Sequence, residues 1–161
     1  MTSTRIFLIV LFLSSVAFAQ ESKYEFGAGI SSPYVFDPHN GIGDTTLHVG
    51  FDFDLYRNVF LHQGLNYGLL GSHFFRYEMG PQLRLLQNRR ICPLLDVGPV
   101  FQFDPYTSVG FYTRFGALFD LSRWTGIYFF KIKAESGVDL FFSNISRNEW
   151  EIFRISLVYG F

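Results

Sequence analysis

The sequence predicts an all-β protein, a closed eight-stranded antiparallel up-and-down transmembrane β-barrel, on three observations. Period-two alternation of apolar and polar residues returns eight times along the chain. Glycine falls on the polar rows of those segments and never on the apolar rows. The last segment keeps one greasy row to its final residue, Phe161, where a soluble domain usually frays into a polar tail.

Ahead of the alternating segments, Arg5 precedes an apolar run over 6–13, followed by Ser14, Ser15 and the small-residue pattern Ala17-Phe18-Ala19. This is the pattern of a secretory signal peptide cleaved after Ala19. The run is too short to cross a bilayer as a helix, which takes roughly 20 residues. The expected organisation is a cleaved leader over 1–19 and one barrel domain over 20–161. With 13 basic and 14 acidic residues the chain is near neutral, which excludes a nucleic-acid partner held by bulk charge. A single cysteine, Cys92, excludes an internal disulfide. The outlier is aromatic content, 20%, with 21 phenylalanines that need somewhere to go.

The eight segments are expected at 23–31, 45–56, 59–70, 74–86, 91–103, 109–121, 127–141 and 151–161. The second is the cleanest, with Leu47, Val49, Phe51, Phe53 and Leu55 set against His48, Gly50, Asp52, Asp54 and Tyr56. The turns after the second, fourth and sixth segments are compact, as periplasmic turns are. The remaining connections include the longest loop, 32–44, and would face outside. Pro81, Pro93 and Pro99 fall inside the fourth and fifth segments, where each lacks a ladder N–H. A β-bulge or early strand end is therefore expected near Gly98-Pro99.

Alternation does not by itself separate a membrane barrel from a soluble lipocalin-like carrier, because the two exchange inside and outside. The glycines separate them. Gly27, Gly29, Gly50, Gly64, Gly68, Gly80, Gly98, Gly110, Gly116, Gly137 and Gly160 all sit on polar rows, and the other four sit in connections. An eight-stranded barrel is only just wide enough for side chains to fill, so its inward rows must mix small residues with large ones. The polar rows are the inside, and the apolar rows meet lipid. Tyr24, Tyr106, Trp124 and Trp150, near segment ends, suit interfacial girdles.

The inward rows then carry Glu25, His48, Asp52, Asp54, His62, Arg76, Glu78, Arg84, Asp96, Arg114, Lys131, Lys133, Glu135, Asp139 and Arg154. In a narrow lumen such charges must be paired and hydrogen-bonded, so they are expected to form a polar network that plugs the barrel. A water-filled pore needs about twice as many strands. Inward residues of the second and third segments face each other only if the turn at Arg57-Asn58 has an odd count, most simply three, which sets His62 opposite Asp52 or Asp54. His48, Asp52, Asp54 and His62 are residue types that ligate metals, but the expectation is a histidine–carboxylate pair within the plug, with no metal and no cofactor.

The closing row, Phe153, Ile155, Leu157, Tyr159 and Phe161, resembles the last strand of bacterial outer-membrane β-barrels, where it is read by the barrel-assembly machinery. Over residues 93–161 the chain is similar to the small outer-membrane barrel domains of the OmpA, OmpX and OmpW type. The residues carrying this are Pro93-Leu-Leu-Asp-Val-Gly98, Phe115-Gly-Ala-Leu-Phe-Asp-Leu-Ser-Arg-Trp124 and Tyr159-Gly-Phe161. The resemblance implies outer-membrane lipid as surroundings, the assembly machinery as a partner, and an external ligand it does not name. Lipid A deacylases, barrels of this size, carry His-x-Ser-Asn at the end of the penultimate strand and a Glu on the last. This chain has Phe141-Phe-Ser143-Asn144 there, and without a base the serine is a poor nucleophile. The expectation is a structural or surface-binding barrel, not an enzyme, with the deacylase and the soluble carrier as alternatives.

Overall fold

In the computed structural model, the residues described are 24–35, 45–69, 74–87, 89–103, 107–121, 130–142 and 149–160. They form eight strands: β1 (Tyr24–Val35), β2 (Thr46–Tyr56), β3 (Val59–Gly68), β4 (Phe75–Arg84), β5 (Ile91–Gln102), β6 (Ser108–Asp120), β7 (Phe130–Phe141) and β8 (Glu149–Gly160). Each pairs antiparallel with its neighbours in sequence, and β8 pairs with β1, so the sheet closes into a barrel in simple up-and-down order. Closure pairs the backbone of every strand on both sides, the condition for crossing a bilayer with strands. The leader over 1–19 and Phe161 lie outside the described residues, as do Tyr106, Trp124, Ser143 and most of the 32–44 loop.

The rows face as the glycines require. Ile30, Leu47, Phe111, Phe115, Ile155 and Leu157 are among the outward, exposed hydrophobics, whereas the side chains at Asp52, Glu78, Asp96, Arg114 and Arg154 are buried inside. Aromatic pairs tie neighbouring strands on the outer face, with Phe26 and Phe51 centroids 5.0 Å apart and Tyr24 edge-on to Phe53 at 5.7 Å.

The glycines serve a second purpose that composition does not reveal. At Gly50 and Gly64 an added Cβ would strike lumen side chains, the two histidines in one case and Glu78 in the other. At Gly80 and Gly98 it would instead strike the neighbouring strand's backbone, 1.9 Å from the Val97 carbonyl oxygen and 2.2 Å from that of Met79. Glycine here lets β4 and β5 curve against each other as well as leaving room in the lumen.

Three local expectations differ from the structure. The β2–β3 turn has two residues, Arg57 and Asn58, with Arg57 at φ 50°. The odd count comes instead from a register shift between Asp54 and Tyr56, where Leu55 is the extra residue. The prolines of β5 cause neither a bulge nor an early end. The β5–β6 ladder runs unbroken through Pro99↔Phe111, and β4–β5 keeps one register from Glu78↔Val100 to Gln82↔Asp96. What the prolines and the close approach of Gly80 and Gly98 do is interrupt ladder pairing between β4 and β5 for the residues between those two pairs. A second bulge lies in β8. Between Arg154 and Glu151 it holds one more residue than either partner strand, so both Ile152 and Phe153 point outward. The carbonyl of Glu151 takes a hydrogen bond at 3.0 Å from the Ser136 hydroxyl on β7. β1 also runs on to Val35, because Pro33, Tyr34 and Val35 pair with Glu151, Trp150 and Glu149.

Candidate functional site, the charged lumen

Alternation along eight strands delivers the polar side chains to a single space, where they form one chain of charge-assisted contacts along the barrel. At the end holding the short turns, Arg84 on β4 donates through Nη1 to Glu25 Oε2 at 2.6 Å and through Nη2 to Asp52 Oδ2 at 2.5 Å. Its guanidinium lies 3.8 Å from the Phe60 ring centroid. Lys131 completes the pairing of Glu25, and Lys133 sits 3.6 Å from Asp52 and 3.3 Å from Glu135. Both partners of the Arg84 and Lys133 pairs lose their hydration, so the geometry and the extra hydrogen bonds must compensate.

At mid-lumen, His62 links the two halves. Asp52 stands directly opposite it in the β2–β3 ladder, and His62 Nδ1 is 2.5 Å from Asp52 Oδ1. The other ring nitrogen, Nε2, is 3.2 Å from Glu78 Oε1 and 3.8 Å from Asp96 Oδ2. Glu78 is the hub of the upper half: it receives Asn66 Nδ2 at 3.1 Å, Arg114 Nη2 at 2.9 Å and Arg154 through both of its terminal nitrogens. Asp96 accepts from the Tyr112 hydroxyl at 2.8 Å and Gln82 Nε2 at 3.2 Å. His48 approaches Asn66 Oδ1 through Nδ1 at 2.9 Å.

Toward the loop end, Arg114 reaches Asp139 at 3.0 Å and Glu151. Arg76 reaches Asp139 at 2.9 Å, Glu149 at 2.6 Å and Gln102 at 3.0 Å. The Phe74 and Phe141 rings hold its guanidinium at centroid distances of 4.6 and 5.1 Å.

Every residue of the expected lumen set therefore lies on the inner rows, with Asp54 half-buried and Lys131 partly open at the rim. Sequence reasoning missed Glu149 and Glu151. Strict alternation back from Phe153 sends both to the outer face, and the β8 bulge turns them in. It also missed the inward rings of Phe60, Phe74 and Phe141. The signal for Glu149 and Glu151 was present, since two acids three and five residues before Arg154 on a lipid-facing row would have gone unpaired. With them, the buried carboxylates among the described residues, Glu25, Asp52, Glu78, Asp96, Glu135, Asp139, Glu149 and Glu151, outnumber the buried basic groups Arg76, Arg84, Arg114, Lys133 and Arg154. Phe141 turns its ring under Arg76, while Ser143 and Asn144 lie outside the described residues.

Strands of 10 to 13 residues, long enough to cross a hydrocarbon core at a tilt, close around buried ion pairs and present hydrocarbon and rings to the outside. This is the fold of the small eight-stranded transmembrane β-barrels. Three solved structures of that kind are similar to it. Neisserial surface protein A superposes with a TM-score of 0.66 at 9% identity, covering 86% of this chain and 97% of its own. The N-terminal β-barrel domain of Pseudomonas aeruginosa OprF gives 0.65 at 13% identity, with 86% and 97% covered. Ail, the attachment invasion locus protein of Yersinia pestis, gives 0.62 at 12% identity, with 88% and 100% covered. No family model matches the sequence, and no curated protein sequence matches it. At these identities the likeness is one of fold.

Proposed function

We propose that this chain is an integral protein of a bacterial outer membrane, exported by the leader at 1–19, with a plugged lumen and a structural or adhesive role exercised through its outer loops. The barrel-assembly machinery reads Phe153, Ile155, Leu157, Tyr159 and Phe161 during insertion. The observation that carries this reading is the partition of side chains: exposed Phe, Leu and Ile ring a barrel whose interior is ion-paired. Facing water, that outer surface would be one large aggregation-prone patch; facing lipid, it is at home. The network is what supports the plug. Arg84, Arg114 and Arg154 are fully buried and each is held by carboxylates from other strands, which supports a filled lumen.

A loop-borne surface role is in keeping with the names of two similar structures, a surface protein and an attachment invasion locus protein, the latter also solved with the heparin analogue sucrose octasulfate. This chain, at net charge −1, offers no bulk field for such a polyanion, so any contact is made by loop shape and chemistry, above all at 32–44. The deciding experiment is expression in a Gram-negative host, with membrane fractionation, heat-modifiable migration on a detergent gel and planar-bilayer recording. Recovery with the outer membrane, a migration shift on boiling and no conductance steps are expected. Recovery as a soluble periplasmic protein overturns the membrane reading, and regular conductance steps overturn the plug. A lipid A mass shift lost on Ser143→Ala would make the barrel an enzyme.

A further inference from the structure

The prolines of β4 and β5 all act on one seam of the wall. Arg84 N donates to Asn58 O, toward β3, whereas Leu85 N donates to Pro93 O at 2.8 Å and Phe103 N to Phe75 O at 2.9 Å, across the β4–β5 seam. Backbone groups alternate between the two neighbours along a strand, so the odd-numbered residues of β4 and β5 aim their N–H and C=O at each other. Pro81, Pro93 and Pro99 are all odd. The single register from Glu78↔Val100 to Gln82↔Asp96 sets Pro99 against Met79 and Pro81 against Val97. Each of these pairs, like Leu85 with Pro93, has one donor where an ordinary pair has two.

The donors missing at mid-seam are those that would reach Met79 O and Val97 O. Each of these oxygens rests on a glycine of the other strand: an added Cβ would stand 1.9 Å from Val97 O at Gly80 and 2.2 Å from Met79 O at Gly98. The doubled Gly-Pro step, Gly80-Pro81 facing Gly98-Pro99, thus replaces two ladder bonds with contacts to Cα–H, a weaker donor. Ladder pairing is left as three pairs toward the loops and three toward the short turns. On the other edge of the same strand, the β5–β6 ladder runs through twelve pairs without a break. Side chains do not bridge the gap from inside, where both residues are glycine. The hydrogen bonds of Arg76 to Gln102 at 3.0 Å and of Gln82 to Asp96 at 3.2 Å lie one on each side of it.

We propose that the β4–β5 seam is a lateral gate in the barrel wall. At rest it is shut, with the two backbones in contact, and it opens transiently by parting over 79–81 and 97–99 while the short ladders on either side hold. Parting an intact ladder strips paired groups in hydrocarbon, where nothing replaces their bonds. Here two of those bonds are already absent. The opening gives the surrounding lipid a side entrance to the lumen beside Asp96 and Tyr112, whose side chains are joined at 2.8 Å. The inference rests on the transmembrane barrel alone and is independent of any role for the loops.

The test is amide hydrogen exchange of the folded barrel in lipid nanodiscs, read residue by residue by NMR. β5 carries its own control, because Leu95, Val97 and Phe101 donate toward β4 while Leu94, Asp96, Gly98 and Val100 donate toward β6. The first set, with Met79 of β4, is expected to exchange at least about tenfold faster than the second. Pro81→Val with Pro99→Val restores both donors on the lipid-facing row and should remove most of that difference, leaving the second set unchanged. A membrane-soluble maleimide should modify Tyr112→Cys in a Cys92→Ser background, and the two valines should slow that reaction by about the same factor. Equal protection along β5 overturns the proposal, as does an alternation that survives the valines, or a maleimide reaction that is absent or indifferent to them. Faster exchange across the β1–β8 seam than across β4–β5 also overturns it. If the valine variant fails to fold, the wild-type exchange pattern decides alone.

Discussion

Arg154 Nε donates to Glu151 Oε1 at 3.1 Å although the two stand three positions apart on one strand, a spacing that strict alternation sends to opposite faces of a sheet. The β8 bulge makes the contact possible by giving Ile152 and Phe153 the same outward direction. Deleting Ile152 removes the extra residue, and strict alternation from Arg154 then leaves Phe153 outward and Glu151 and Glu149 still inward, toward Arg114 and Arg76. The deletion should therefore keep the heat-modifiable folded band, as should Ile152→Val. Loss of the band in the deletion variant would show that the bulge itself is needed, beyond the facing it sets.

How much of this was legible in the sequence depends on where period two holds. Across β2 and β3 it holds nearly throughout, so the Asp52–His62 opposition follows from parity and a turn position. In β8 one extra residue resets parity, and nothing in Trp150-Glu151-Ile152-Phe153 marks it locally. Only the burial cost of Glu149 and Glu151 does, and that requires knowing the other strands. Phe60, Phe74 and Phe141 escaped notice for a different reason. Sorting rows by polarity assigns rings to lipid, yet a guanidinium stripped of water gains from an aromatic face. The glycine pattern identified the inside correctly, but lumen volume is only part of its cause. At Gly80 and Gly98 the constraint is the adjacent backbone.

That distinction is measurable at two glycines. A methyl at Gly80 meets the Val97 carbonyl oxygen at 1.9 Å and has no flexible side chain to displace, whereas at Gly160 the nearest atom is Glu25 Cγ at 3.7 Å. Gly80→Ala should cost about 1–3 kcal/mol or more in urea unfolding from detergent or lipid. Gly160→Ala should stay within about 0.5 kcal/mol of wild type. Equal effects at the two positions would mean that β4 and β5 move apart freely.

The outer face carries its own test at Phe115, which is 62% exposed near the middle of β6. An arginine there must stand in hydrocarbon, so Phe115→Arg should lower stability in liposomes by about 2–4 kcal/mol, with a smaller loss for the same change at a strand end. A flat profile along the strand would place this face in water.

Inside the barrel, Arg114 is the cation with the most crowded acidic surroundings, since Glu78, Asp139 and Glu151 all contact it. Arg114→Met keeps the volume and removes the charge. Glu78 retains Arg154, and Asp139 retains Arg76, so neither is wholly stranded. Glu151 loses its closest ion-pair partner and keeps the Nε–Nη2 edge of Arg154 and a hydrogen bond from Ser31. The expected loss is about 3–5 kcal/mol, typical of leaving buried charge uncompensated. Adding Glu151→Gln to Arg114→Met removes the least compensated acid and should recover part of that loss, so the two changes are strongly non-additive. Additive losses in the double variant would show that Glu151 draws its stability from Arg154 alone, and that the network is a set of separate pairs.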